Sequence, residues 1–157
     1  MLKKKSYILL FFLILFGPIG TTLDAKEKEF EFETIDQGID SKITTYRRGV
    51  IQNSIEWKAL WKEHQHSELS LPVVDFQKEG VVVVFLGIKG SAGYSVEIYK
   101  VEEHGRELKI YFEELKPDPN CMVAQVITSP FHMVRISASE KESVFLGREK
   151  IQDCRGN

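Results

Sequence analysis

The sequence predicts an α+β domain in which a mainly antiparallel β-sheet carries one main α-helix packed on it. Three observations carry that expectation. The run 81–86, VVVVFL, is apolar, β-branched and too short for a buried helix, so it reads as a central strand covered on both faces. Tyr94, Val96 and Ile98 alternate with polar neighbours, and so do Leu108, Ile110 and Phe112, which is the period of strands that bury one face. A single stretch has the helical period, with Trp57, Leu60, Trp61 and His64 at i, i+3, i+4 and i+7.

In chain order, Phe30 and Phe32 alternate with Glu29, Glu31 and Glu33, so residues 26–33 form a half-buried strand. A turn at 37–40 leads to a second strand over 43–51, interrupted at Arg47, Arg48 and Gly49. Asn53 followed three residues later by Glu56 is a capping box that starts the helix. The tryptophans at its i and i+4 positions are expected to bury against the sheet rather than to form a ligand platform. Residues 65–72 are a polar connection, and Asp75 suits a turn or a cap. After the central strand, Gly87, Gly90 and Gly93 punctuate a loop, and Tyr94 opens the inward face of the next strand. His104-Gly105 marks a hairpin turn into a strand over 107–115, and Pro117, Asp118, Pro119 and Asn120 end that strand. Further strands are expected at 122–128, at 131–136 and, briefly, at 144–146. Connections this short make hairpins rather than parallel crossovers, hence the antiparallel sheet.

The chain of 157 residues, 43% of them hydrophobic, is long enough to bury a real core. The expected division is a signal peptide over 1–25 and one domain over 26–157. Lys3, Lys4 and Lys5 precede the apolar run 7–16, which ends at Gly17 and Pro18 ahead of Ala25, and this is the layout of an export signal. The protein is therefore expected outside the cytoplasm, periplasmic or secreted. An uncleaved membrane anchor is the alternative, because Leu23 is a poor residue three positions before a cut after Ala25. Charged residues balance to a net −2, so there is no basic footprint for nucleic acid. Cys121 and Cys154 make an even pair in an oxidising compartment, which favours one disulfide closing a loop of about 34 residues and contributing roughly 3.5 to 4 kcal/mol. Two unpaired thiols are the competing reading, since Cys154 lies in a polar tail.

Residues of the kinds that carry chemistry are present without the spacing that chemistry needs. The glycine pattern GxxGxxGY has neither the lysine of a phosphate-binding loop nor a helix after it, so no nucleotide or other cofactor is expected. Ser95 lies in GYSVE, on a strand, and not at a nucleophile elbow. His64 and His66 point apart on a helix, and with His104 and His132 they read as solvated histidines and not as metal ligands. No catalytic and no metal-binding residue is assigned. The loop has two uses open to it: a plain hairpin connection, or a flat exposed backbone surface for a protein partner, with Gly87, Gly90, Ser91, Gly93 and Tyr94 as the binding candidates.

Trp57 and Trp61, Val74-Asp75-Phe76, the apolar strand ending at Gly87, the loop GSAGYSV, and Cys121 leading to Gln125 and Thr128-Ser129-Pro130-Phe131 together resemble the PrcB C-terminal domain family, with a core over about 76–137. The resemblance implies an exported bacterial accessory subunit of a cell-surface protease complex, not the protease, and it carries over no catalytic residue. The chain differs from the family's namesake in having no cysteine for a lipid anchor after the apolar run. The reading that follows is a non-enzymatic binding domain whose partner is an extracytoplasmic protein, for instance a protease. Its rivals are a protease inhibitor acting through the glycine loop and a hydrolase whose site short motifs do not reveal.

Overall fold

The computed structural model describes residues 27–65 and 71–153. The elements run β1 (Lys28–Glu29), β2 (Glu33–Gly38), β3 (Tyr46–Ile51), α1 (Ser54–His64), β4 (Glu79–Leu86), β5 (Ser95–His104), β6 (Glu107–Pro117), β7 (Phe131–Ser137) and β8 (Glu142–Gln152). The fold is α+β, but the strands form two four-stranded sheets, β1-β5-β6-β8 and β2-β7-β4-β3, and not the single sheet expected. The helix packs on the far face of the second sheet, giving three layers.

β4 shows why the chain needs three layers. It lies between β7 and β3, and its alternate residues serve two cores. Val82, Val84 and Leu86 enter the layer between the sheets with Val96, Ile98, Leu108, Ile110 and Phe112. Val81, Val83 and Phe85 meet Trp57, Leu60 and Trp61 of the helix. A strand buried on both faces cannot alternate apolar with polar, hence its unbroken apolar run. The helix begins where the capping box places it: Asn53 Oδ1 accepts the Glu56 amide at 2.9 Å. Asp75 also behaves as expected, its Oδ1 accepting the Gln77 amide at 3.2 Å in a turn ahead of β4.

Several expectations are corrected. The alternation at Phe30 and Phe32 does not belong to one strand, because the chain changes sheets there: β1 pairs with β5, while β2 pairs with β7. Both rings still face the inter-sheet core. β3 runs through Arg47, Arg48 and Gly49 without interruption, since an edge strand tolerates charged residues facing solvent. The stretch expected as a strand at 122–128 is irregular apart from a bridge between Lys89 and Thr128. β8 is far longer than expected and pairs parallel with β6 from Glu107↔Glu142 to Pro117↔Gln152. The crossover this requires is supplied by β7, which lies in the other sheet between the two. Gly147 of β8 lets the buried Phe112 ring lie directly on the backbone, where a Cβ would stand 2.4 Å from Phe112 Cζ.

Candidate functional site

The glycine loop joins β4 to β5, which lie in different sheets, so it is a crossover between layers and not a hairpin connection. At its start Gly87 is buried with φ 67°, and the Ile88 amide donates to the Thr44 carbonyl at 3.0 Å. The middle of the loop lies along the irregular stretch after Cys121. Lys89 and Thr128 exchange both backbone hydrogen bonds, at 2.8 and 3.0 Å, and the Ala92 amide donates to Ala124 at 2.9 Å. Thr128 Oγ1 donates to the Ser91 carbonyl at 3.1 Å. The two motifs GSAGYSV and Cys121 to Thr128 are therefore one structural unit. Gly93, at φ 89°, fits against Pro117, whose Cβ would be 3.1 Å from a Cβ at that position. Gly90 and Ser91 sit at the tip, with open space around Gly90. Tyr94 is half-buried just ahead of β5 instead of opening its buried face, and Lys89 Nζ lies 5.6 Å from its ring centroid.

Beside this unit is a surface that the sequence reading passed over. Ile39, Ile88 and Ile127 are 47%, 53% and 78% exposed. With Asp40, Ser41, Lys42, Thr44, Thr128 and Ser129 they line a groove of about 380 Å³. Three separate segments meet there: the chain after β2, the first residue beyond Gly87, and the stretch before β7. Their backbones are tied together, Ser41 N donating to Ser129 O at 3.2 Å and Ser129 N to Ile39 O at 2.7 Å. Large aliphatic side chains held exposed on a braced backbone are an arrangement for receiving another apolar group. No local pattern marks them, because each isoleucine belongs to a different segment.

Ser41 of the groove lining is joined to His64 and, through it, to Asp36. His64 Nδ1 lies 2.9 Å from Ser41 Oγ and its Nε2 lies 3.1 Å from Asp36 Oδ2. These three groups are ordered like an acid, base and nucleophile. Ser41 Oγ, however, accepts the Ile43 amide at 3.0 Å and its residue is 5% exposed. The amides of Ser41, Lys42, Thr128 and Ser129 around it are all given to backbone carbonyls, so none of them is available to an oxyanion. What the constellation supplies is a brace from the last turn of α1 to the groove wall. His64 is thus buried, its ring 4.3 Å from that of Phe131, and the expectation of a solvated side chain is corrected.

The other described histidines, His104 and His132, have other partners. His104 is exposed and lies 2.9 Å from Glu27 Oε1. His132 is buried between the sheets, again contrary to expectation, and His66 lies outside the described residues. Among the described residues no group of three or more His, Cys, Asp and Glu side chains could hold a metal ion. Cys121 Sγ lies 3.7 Å from the carbonyl oxygen of Gln152 at the end of β8. The expected partner, Cys154, is two residues further on and lies outside the described residues, as does the expected signal peptide.

A two-sheet α+β domain with an apolar loop-end surface is a class of protein that many functions could use. Residues 81–137 match the family model described as PrcB C-terminal. The match runs from within β4 to the end of β7 and so holds the glycine loop, Ile88 and Ile127. It leaves the helix, Val74-Asp75-Phe76 and Ile39 outside. No curated protein and no solved structure matches the chain.

Proposed function

We propose that the protein is an exported, non-enzymatic accessory domain that binds a protein partner of an extracytoplasmic protease complex through the groove of Ile39, Ile88 and Ile127. The observation that carries this reading is the groove itself: three exposed isoleucines on a backbone braced by Lys89–Thr128 and Ser41–Ser129 hydrogen bonds. The family name supports the kind of partner, and the lysine-flanked apolar run supports export.

The test is capture of extracytoplasmic proteins on the immobilised wild type, Ile88→Asp and Ser91→Glu, with retained proteins identified by mass spectrometry. A protease-complex component is expected on the wild type and is expected to be lost with Ile88→Asp. Both variants should melt near the wild type, since surface changes cost within about 0.5 kcal/mol. Equal capture by Ile88→Asp would move the binding face elsewhere, and capture of no protease component would end the protease reading. Loss with Ser91→Glu as well would extend the face to the loop tip.

Export has its own measurement. The intact mass of protein recovered from outside the cytoplasm should correspond to a chain beginning near Lys26, lighter by two hydrogens for a Cys121–Cys154 bond. Full-length chain in the membrane fraction would establish the anchor instead.

A further inference from the structure

We propose that His132 is an acid-sensitive fastener holding β5, the strand that leaves the glycine loop, to the helix-bearing sheet. The outer edge of β5 has little strand beside it, because β1 pairs only with Glu102 and Glu103. Polar groups along that edge are met from across the sandwich instead. Gln37 Nε2 donates to the Val96 carbonyl at 2.9 Å, and the Ile98 amide donates to His132 Nδ1 at 2.8 Å. Of these two ties only the one through His132 can titrate. It also stands beside the weak point of the β5–β6 ladder, whose register shifts between Ile98 and Lys100.

The chemistry of the ring follows from its partners. An amide can only donate, so Nδ1 keeps its lone pair, and Nε2 carries the proton and donates to Thr34 Oγ1 at 2.9 Å. A second proton would have to enter at Nδ1. It would set one N–H against another and leave the Ile98 amide unpaired inside the fold. The surroundings offer the imidazolium no compensation. β2 presents Thr34 and Gln37, β4 presents Val84 and β5 presents Ile98. Of the two acids on β2, Asp36 reaches His64 and exposed Glu33 lies toward Arg135; Glu97 on β5 is exposed, and Arg135 on β7 is directed to Glu33, Glu79 and the Val73 carbonyl.

Burial on its own accordingly pushes the His132 pKa down to about 4. Because the folded value is depressed, the fastener is at full strength above the ordinary histidine pKa of about 6.5 and weakens as pH falls toward about 4. In that window opening becomes easier by up to about tenfold per pH unit. β5 begins one residue after Tyr94, so loosening it releases the end of the glycine loop. The proposal concerns this tie alone and stands or falls separately from the identity of any partner.

The experiment is amide hydrogen exchange by NMR on the purified protein between pH 7.5 and 4.5, corrected for the intrinsic pH dependence of exchange. It compares the wild type with His132→Gln, which keeps an acceptor for Ile98 and a donor for Thr34 but does not titrate. In the wild type the protection of the Ile98 amide should fall at least about tenfold between pH 6.5 and 5, while Val83 in the central strand stays more strongly protected throughout. In His132→Gln it should stay level. An equal fall in the variant, or none in the wild type, overturns the proposal. Should the variant fail to fold, the wild-type ring decides: its nitrogen shifts should show the neutral Nε2–H form down to about pH 5. A ring that titrates near 6.5 with Ile98 still protected also overturns it.

Discussion

Gly87→Ala is expected to destabilise the protein by about 3 kcal/mol, through two costs that add at one atom. The residue has φ 67°, where an L side chain is strained by about 1 kcal/mol. The new Cβ would also stand 2.8 Å from the Thr44 carbonyl oxygen and 2.9 Å from both Thr45 C and Tyr46 N. These are backbone atoms leading into β3, so no rotamer change relieves the contact. The Ile88 amide, bonded to Thr44, and the exposed Ile88 side chain would move together, and partner capture should fall with stability. Urea unfolding of Gly87→Ala beside Gly90→Ala checks this, since a Cβ at Gly90 meets nothing within 4 Å. A loss at Gly87 no larger than at Gly90 would show that the loop start is not held by this backbone contact.

Trp57→Ala should cost about 4 kcal/mol, a large share of the 5 to 15 kcal/mol by which domains of this size are stable. The indole is 2% exposed and packs in the core between helix and second sheet, its ring 5.2 Å from that of Trp61. Its Nε1 donates to the Pro72 carbonyl at 3.0 Å, tying the chain beyond the helix back onto it. Trp57→Phe should lose about half as much, keeping an aromatic core but giving up that donor. On the opposite side of the same helix Ile55 is 80% exposed, and Ile55→Ala should cost no more than about 0.5 kcal/mol. Denaturant unfolding of the three variants separates the cases. A Trp57→Ala loss below about 1.5 kcal/mol would mean that the helix contributes little to holding the second sheet.

The local period of β4, the helix and β6, and the faces these three bury, were legible in the sequence. The unbroken apolar run made β4 central, Asn53 and Glu56 placed the helix start, and alternation picked out Leu108, Ile110 and Phe112, all of which are buried. Side-chain period is a local property, so a single chain displays it. Sheet membership is not local. Alternating strands satisfy the same pattern in one sheet or two, and only the pairing of β2 with β7 and of β8 with β6 decides which. The length of β8 was illegible for the same reason, because its exposed, charged residues carry no core signal and its hydrogen bonds come from β6. The glycines marked the loop, yet the groove beside it takes Ile39, Ile88 and Ile127 from three segments. His64 and His132 look alike in sequence. Tertiary structure made one a brace to the groove wall and the other a tie between the sheets, because burial and the partner at each ring nitrogen are set by residues 23 to 98 positions away.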